Sequence, residues 1–377
     1  MKQAIFIMIF LVLTLALANA RERLPLAAGI CANKARSLFQ TGKIRKAVHL
    51  LEDFTAKKAG LDKEQVQKRG YNHYYIHFII GNYYSILAQK EGNKIFSLNA
   101  IKSYQDSTRA NPFFAAAWLN LAKSQYEAGF FARAAGSFEK GYDTSKTRKP
   151  VHLYNAAICY FQARDPEKAL SVFRHLIKAH PGKLTLAWKK TLVNILFSLE
   201  KYKTALPWLE ELAQKSRTGK KKKWQEILLY QYLSLGMDKK ALAYANFLTQ
   251  TDVLEPKWWK ALCHIHLGNQ DLEKGLSALI IYGYLSPLTR EERLLEADLY
   301  LSLDIPAKAA LIYENVLKSK TDPKTILKLG NACAMAYDPD KALEWINKGL
   351  YSFKDKKLLR MKAWLETIQT TSNRQVK

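Results

Sequence analysis

Acidic residues are scarce in this chain. Asp and Glu number 33 against 59 Lys and Arg, a formal net charge of +26 at pH 7. Such a balance points toward an anionic counterpart: nucleic acid, an acidic protein, an anionic polymer or a membrane face. Cysteine is scarce too, with four in 377 residues (Cys31, Cys159, Cys263 and Cys333). None of them stands in Cys-x-x-Cys or zinc-ligand spacing, which excludes a zinc ribbon. The sequence has no glycine-rich phosphate loop and no Ser, Cys or Thr in a nucleophile elbow. His73 and His77 are four apart, but the metalloprotease pattern needs Glu after the first His, and Tyr74 stands there. The bland reading of that pair is an aromatic-rich helix surface. His264 and His266, two apart, point to different sides of a helix. The reading is therefore non-catalytic, with no metal and no cofactor.

A long apolar run occurs once. Lys2 is followed by an uncharged stretch, Ala4 to Leu17, and then by Ala18-Asn19-Ala20. A charged start, an apolar run of about 7–15 residues and a small-x-small exit make up a secretory signal peptide. A membrane span needs about 20 apolar residues, so this run is short for one. Residues 1–20 are read as a signal peptide cut after Ala20. The alternative is an uncleaved anchor, which Arg21 and Arg23 would favour. Cys31 follows Ala28-Gly29-Ile30, and the bulky Ile argues against a lipoprotein signal. Removing residues 1–20 takes away Lys2 alone and leaves +25. Export also argues against nucleic acid as the partner. The run Lys220–Lys223 reads as a solvated turn between repeats, because blocked like charges repel and stay hydrated.

What is present in quantity is a period. Small residues recur at Ala47, Ala100, Ala134, Ala169, Ala205, Ala241, Gly275, Ala309 and Ala342. After a first gap of 53, the spacings are 34, 35, 36, 36, 34, 34 and 33. Four residues later a bulky apolar side chain follows at Leu51, Tyr104, Phe138, Phe173, Leu209, Leu279, Tyr313 and Ile346, with Ala245 the exception. A spacing of four places both on one helical face. Pro112, Pro181 and Pro287 come twelve residues after the small one, where a helix has to end. An aromatic near the start of the preceding helix (Trp118, Trp188, Trp224, Trp258) and a small mid-helix residue (Gly81, Ala122, Ala157, Ala297, Gly330) complete the unit. Turn glycines follow at Gly42, Gly129 and Gly236.

These residues resemble the tetratricopeptide repeat family, whose unit is a helix pair, A and B, of 34 residues. The resemblance implies an all-α chain: an α-α superhelical solenoid of about nine helix pairs over residues 28–354. A linker is expected near 57–70 and a longer A–B turn near 89–96. A capping helix over 355–369 would cover the last core face, followed by a polar tail that frays from Thr370. The cysteines then fall in helix A of repeats one, four, seven and nine. Packed helices lie about 8–10 Å apart, and a disulfide needs Cα atoms within about 7 Å. The register thus predicts four unpaired thiols.

The same resemblance implies where a partner would bind. Helix A lines the concave wall with its second, fifth, ninth and twelfth positions, and the residues assigned there are Tyr75, Phe78 and Asn82; Lys123 and Tyr126; Tyr154 and Phe161; Lys190, Asn194 and Phe197; Tyr230; Trp259 and His266. Aromatics and polar donors suit an extended peptide or a helix, since rings give contact area at low entropic cost. The alternative is that several of these rings fill space between neighbouring A helices. A C-terminal carboxylate clamp is echoed by Asn82, Asn120, Asn155 and the Lys190/Asn194 pair, but Tyr154 stands where its third repeat needs Lys.

A narrower resemblance lies in Glu255-Pro256-Lys257-Trp258-Trp259, Gly283-Tyr284-Leu285, Leu288-Thr289-Arg290-Glu291-Glu292 and Pro306-Ala307-Lys308-Ala309-Ala310. It is similar to repeat proteins encoded beside ExbB, ExbD and TonB components in Gram-negative bacteria. It covers about 60 residues. It implies a periplasmic scaffold that is an accessory of a TonB-type system, with a component of that complex or an outer-membrane transporter as partner. The alternative, resting on charge, is an envelope-assembly or envelope-polymer-binding factor.

Overall fold

The computed structural model describes residues 24–375; the signal-peptide reading of residues 1–20 lies outside them. Among the described residues there are twenty helices and no strand. The chain divides into two compact units, one ending at Lys215 and the other beginning at Ser216.

The first unit holds five helix pairs: α1 (Leu26–Gln40) with α2 (Ile44–Ala56), α4 (Tyr74–Glu91) with α5 (Lys94–Ala110), α6 (Ala115–Glu127) with α7 (Phe131–Thr144), α8 (Pro150–Gln162) with α9 (Pro166–Ala179), and α10 (Leu186–Ser198) with α11 (Tyr202–Lys215). A short α3 (Lys63–Arg69) stands between the first two pairs. The second unit holds four: α12 (Thr218–Ser234) with α13 (Asp238–Thr251), α14 (Pro256–Gly268) with α15 (Leu272–Leu285), α16 (Arg290–Ser302) with α17 (Pro306–Ser319), and α18 (Pro323–Met335) with α19 (Pro339–Ser352). A final helix, α20 (Lys356–Gln375), closes it. This is an all-α solenoid of nine helix pairs with a terminal cap, in which each pair packs on its neighbours in sequence within its unit.

The recurring small residue sets the packing. Its alanines are all fully buried. In the seventh pair a glycine takes its place: a Cβ on Gly275 would come within 2.6 Å of the Leu267 side chain in the partner helix. The bulky residue four positions on is buried in each of the eight pairs that have one, and Ala245 is buried in the sixth. Tyrosines then tie one pair to the next, as where Tyr160 donates to Glu139 Oε2 at 2.8 Å. Prolines open α8, α9, α14, α17, α18 and α19, where the missing N–H costs nothing.

Four local expectations are corrected. The extra residues of the second repeat do not lengthen its A–B turn; they lengthen the helices, to 18 in α4 and 17 in α5, against 13 and 14 in the next pair. The linker near 57–70 contains α3, capped by Asp62 and ended by Gly70 at φ 74°. A Cβ on Gly70 would lie 2.9 Å from the Ala28 Cβ, so the segment is packed on α1. Lys220–Lys223 form the start of α12 and not a turn. Successive side chains splay around a helix, so of the four lysines only Lys220 and Lys223, three apart, share a face; Lys222 in addition reaches Asp252 and Glu255, each at 2.9 Å. Finally, the backbone of α20 stays helical through Gln375, past the point where the tail was expected to leave the helix.

The A–B turns share one left-handed residue. It is glycine at Gly42, Gly129 and Gly236, but Arg164, Glu200, Gln270, Asp304 and Tyr337 hold φ values of 54–62° at the equivalent places. A side chain there costs roughly 1–2 kcal/mol. Part of that cost is returned by the lower chain entropy of a non-glycine unfolded state. Glu200→Gly and Tyr337→Gly are each expected to stabilise by up to about 1 kcal/mol, and Gly129→Ala to destabilise by a similar amount, in urea unfolding. A loss of stability in both glycine variants would contradict the turn strain.

Candidate partner-binding face

In α4, α6, α8 and α10 the eighth residue is buried: Gly81, Ala122, Ala157 and Val193; a Cβ on Gly81 would meet the Tyr104 ring, the bulky residue four after the small one of helix B. Counting from this eighth residue places most of the expected residues on one face of the A helices. Tyr75, Phe78, Asn82, Lys123, Tyr126, Tyr154, Phe161 and Phe197 are half-buried there, while Lys190, Asn194 and Tyr230 are exposed.

Several of these side chains bridge neighbouring A helices. Asn82 Oδ1 accepts from Asn120 Nδ2 and from the Tyr104 hydroxyl, both at 2.9 Å. Gln162 Nε2 donates to the Tyr126 hydroxyl at 3.1 Å. The Tyr154 ring stacks on Trp188 at 4.6 Å, and its hydroxyl meets Thr191 Oγ1 at 3.1 Å. Phe78 packs edge-on against Phe114 at 5.0 Å. Each such ring is thus both spacer and surface: one side holds the next repeat and the rest faces out. A carboxylate would need an amide N–H, and Asn120 turns Nδ2 to Asn82 Oδ1 instead.

The electrostatics of the face differ between residues. Lys123 lies 3.8 Å from Glu127, whose carboxyl is held above its usual range by burial, with Lys123 opposing. Lys190 and Asn194 are exposed on α10, and among the described residues Lys190 makes no ion pair. All four cysteines are buried and free. Burial pushes Cys159 up to about 12 and Cys263 and Cys333 to about 11, so these thiols stay protonated and unreactive.

Two expected residues do not belong to the face. Gly275 fixes Cys263 as the eighth residue of α14, so Trp259 is the fourth and His266 the eleventh. Trp259 Nε1 donates to the Val253 carbonyl at 2.7 Å, and Trp118 Nε1 makes the same bond to Pro112 at 2.8 Å. The two indoles are therefore equivalent anchors for the chain that enters helix A. His266 is buried, with Nδ1 3.7 Å from Asp271. The face positions of this repeat are Lys257, Lys260, His264 and Leu267, and the spacing to Gly275 was the signal for them. A shallow pocket of about 220 Å³ opens beside them, lined by Leu233, Asp238, His264, Ile265, Gly268 and Asn269.

The two histidines at the start of α4 have separate structural roles. His73 Nδ1 caps the helix by accepting from the Tyr75 amide at 3.2 Å. His77 is buried, with Nε2 2.9 Å from Asn72 Oδ1. Among the described residues no three His, Cys, Asp or Glu side chains are grouped to hold a metal.

Residues 98–150 and 122–183 match the family model for the tetratricopeptide repeat. That match spans residues 98–183, less than half of the chain. None of the curated proteins matches it. Among solved structures, YrrB, described as a tetratricopeptide protein with an unusual peptide-binding site, is 18% identical at a TM-score of 0.36, covering 50% of this chain and 94% of its own. Naa15/Naa10 bound to HypK is 14% identical at 0.45, covering 91% of this chain and 61% of that one. The C-terminal part of a tetratricopeptide protein from Cytophaga hutchinsonii is 17% identical at 0.40, covering 64% and 98%.

Burial pushes His77 down from its ordinary 6.5 to about 4, with Asp106 opposing and Lys58, His73 and Arg109 assisting. The folded state therefore binds fewer protons than the unfolded chain between these values. The stability that depends on neutral His77 is complete above about pH 6.5 and is lost as pH falls toward 4, by roughly 3 kcal/mol. His77→Gln is expected to flatten that part of the stability–pH curve; an unchanged slope would contradict the assignment.

Proposed function

We propose that the chain is an exported, non-enzymatic scaffold that holds a partner protein along its A-helix face, as an accessory of a TonB-type energy-transduction system. The observation that carries the scaffold part is the set of aromatic and polar side chains from successive A helices that meet at Tyr154, Trp188 and Thr191 and remain partly open to solvent. Rings held in place by packing bind with little further loss of entropy.

Export rests on the charged start, apolar run and Ala-Asn-Ala exit of residues 1–20. Among the described residues no helix is long and apolar enough to cross a membrane. The TonB-type part rests on the motif resemblance. Its residues build junctions between repeats: Trp258 is buried, Thr289 and Glu292 form the capping box of α16, and Lys260 reaches Glu292 at 2.7 Å. The motif is thus a statement about relatedness of the scaffold, and the partner is bound elsewhere. The envelope-polymer reading keeps one support, the +26 charge.

The test is affinity capture from a membrane fraction with the tagged full chain, beside a Tyr154→Ala, Phe161→Ala variant. ExbB, ExbD, TonB or an outer-membrane transporter is expected with the unaltered chain and at least about tenfold less with the variant. Repeated capture without any of these proteins would remove the TonB-type reading. Capture indifferent to the variant would remove the A-helix face. Sequencing of the mature N-terminus is expected to begin at Arg21.

A further inference from the structure

One end of the first unit's helix pairs is cationic. Helices α5 to α10 pack on one another in chain order, each reversing the direction of the last, so the turns 111–114, 145–149 and 180–185 share that end. Side chains join them directly. Gly141, in the last turn of α7, lies so close to Leu119 of α6 that a Cβ would strike it. The Tyr142 hydroxyl meets His180 Nε2 at 2.9 Å, and the Arg148 guanidinium stands 6.0 Å from the centre of the same Tyr142 ring. Lys146, Arg148 and Lys149 are exposed in one turn, and Lys178 and Lys183 at the next. None of the five is in an ion pair among the described residues. Between Lys140 and Pro150, and between Arg174 and Leu186, the one acid is Asp143. Glu139, further in, is held by the Tyr160 hydroxyl. At the opposite end of these pairs both signs occur: Lys168 reaches Asp165 at 3.0 Å, Lys201 reaches Glu167 at 2.9 Å, and Glu200 stands in a turn.

The first of the three turns adds an apolar tip. Its flanking charges, Arg109 and Asp106, are paired with each other at 2.7 Å. Trp118 Nε1 donates to the Pro112 carbonyl at 2.8 Å, and the Phe114 ring packs inward on Tyr74 and Phe78. Phe113, set between these two anchors, is left 83% exposed. A soluble anionic polymer would use the cations and leave that ring in water. A peptide would need a groove, and these residues stand on turn tips. A bilayer with anionic headgroups presents phosphates and, directly beneath them, an apolar layer, so it meets both features at once.

We propose that this end of the first unit docks on an anionic phospholipid bilayer, with the five cations among headgroup phosphates and the Phe113 ring in the apolar layer beneath. Attachment of this kind is peripheral and reversible, and it weakens as salt screens the phosphates. Docking through turns is separate from the A-helix face and does not depend on what that face holds.

The experiment is sedimentation of the chain, as recovered from cells, with vesicles of phosphatidylcholine alone and of phosphatidylcholine mixed with phosphatidylglycerol. The apolar run of residues 4–17, where retained, is common to every variant. Binding is expected to the mixed vesicles and to fall with salt. Each Lys or Arg near such a surface is worth about fivefold, so a Lys146→Gln, Lys149→Gln, Lys183→Gln variant should bind about a hundredfold more weakly. Phe113→Ser should lose about fivefold or more. Arg133→Gln with Lys203→Gln, at the opposite end, should change binding by less than about twofold. Phe113→Trp should be quenched by lipid brominated on its acyl chains, beyond the quenching of the unaltered chain. All the altered side chains are exposed, and an unchanged helical circular dichroism spectrum would show that the variants fold. Equal binding to phosphatidylcholine alone, indifference to the triple lysine variant, or no added quenching of Phe113→Trp would overturn the proposal. So would binding of poly-glutamate through the same lysines with no binding to vesicles, which would assign this end to a soluble anionic polymer. The triple lysine variant should keep the partner capture that Tyr154→Ala, Phe161→Ala removes, so failure of the docking and failure of the partner reading remain distinct.

Discussion

The structure depends on one close approach, repeated nine times: helix B crosses helix A at a residue too small to hold them apart. Ala169 and its equivalents are fully buried, and Gly275 goes further, since even a methyl there would strike Leu267. Extra methylenes at such a crossing cost roughly 1–3 kcal/mol through overpacking. The crossing also fixes the rotation of helix A about its own axis. That rotation turns Leu153 and Ala156 inward and leaves Tyr154 and Phe161 between core and solvent. Core and candidate site are consequences of the same contact.

Because small residues at crossings carry the period, the period could be read from the sequence alone, and with it the helix pairs and the cap. What escaped was set by terms the spacing does not contain. Arg164, Glu200, Gln270, Asp304 and Tyr337 adopt the left-handed turn without glycine. Tertiary packing on both sides imposes it, so a search for turn glycines finds only part of the turns. The length of α4 and α5 escaped because Gln89–Phe96 looks like a loop by composition, while the helix continues to Glu91 and is closed by Gly92 at φ 65°. Lys220–Lys223 misled for a related reason: charge density was taken as a turn signal, although lysine is an acceptable helix former.

The candidate site was legible to the extent that the register was. Tyr75, Phe78, Asn82, Lys123, Tyr126, Tyr154, Phe161, Lys190, Asn194, Phe197 and Tyr230 lie on the A-helix face. Trp259 and His266 do not, because taking Trp258 as the entry aromatic shifts the count by one residue. Only one of them puts the indole on the Val253 carbonyl as Trp118 sits on Pro112. The sequence also could not separate spacer from surface. Tyr154 is both, and only the Trp188 stack and the Thr191 contact make that visible.

Charge is where composition and structure diverge most. A value of +26 describes the chain, but a partner meets a face. Many of the lysines are spent inside the solenoid or along its edges: Lys189 on Glu211, Lys201 on Glu167, Lys328 on Asp298, Lys341 on Glu314. Such pairs link one helix to another and do little for a ligand, and exposed ones contribute only about 0–1 kcal/mol to stability. What matters for recognition is the remainder after pairing. On the second unit's A-helix face Glu226 and Glu292 answer Lys257 and Lys260, while Lys223 and Lys324 are exposed without an ion pair among the described residues. On the first unit's face Lys123 is answered by Glu127, and Arg36 and Lys190 are left without an ion pair among the described residues. A net charge spread over 377 residues thus reduces, at any one face, to the few cations that pairing leaves over.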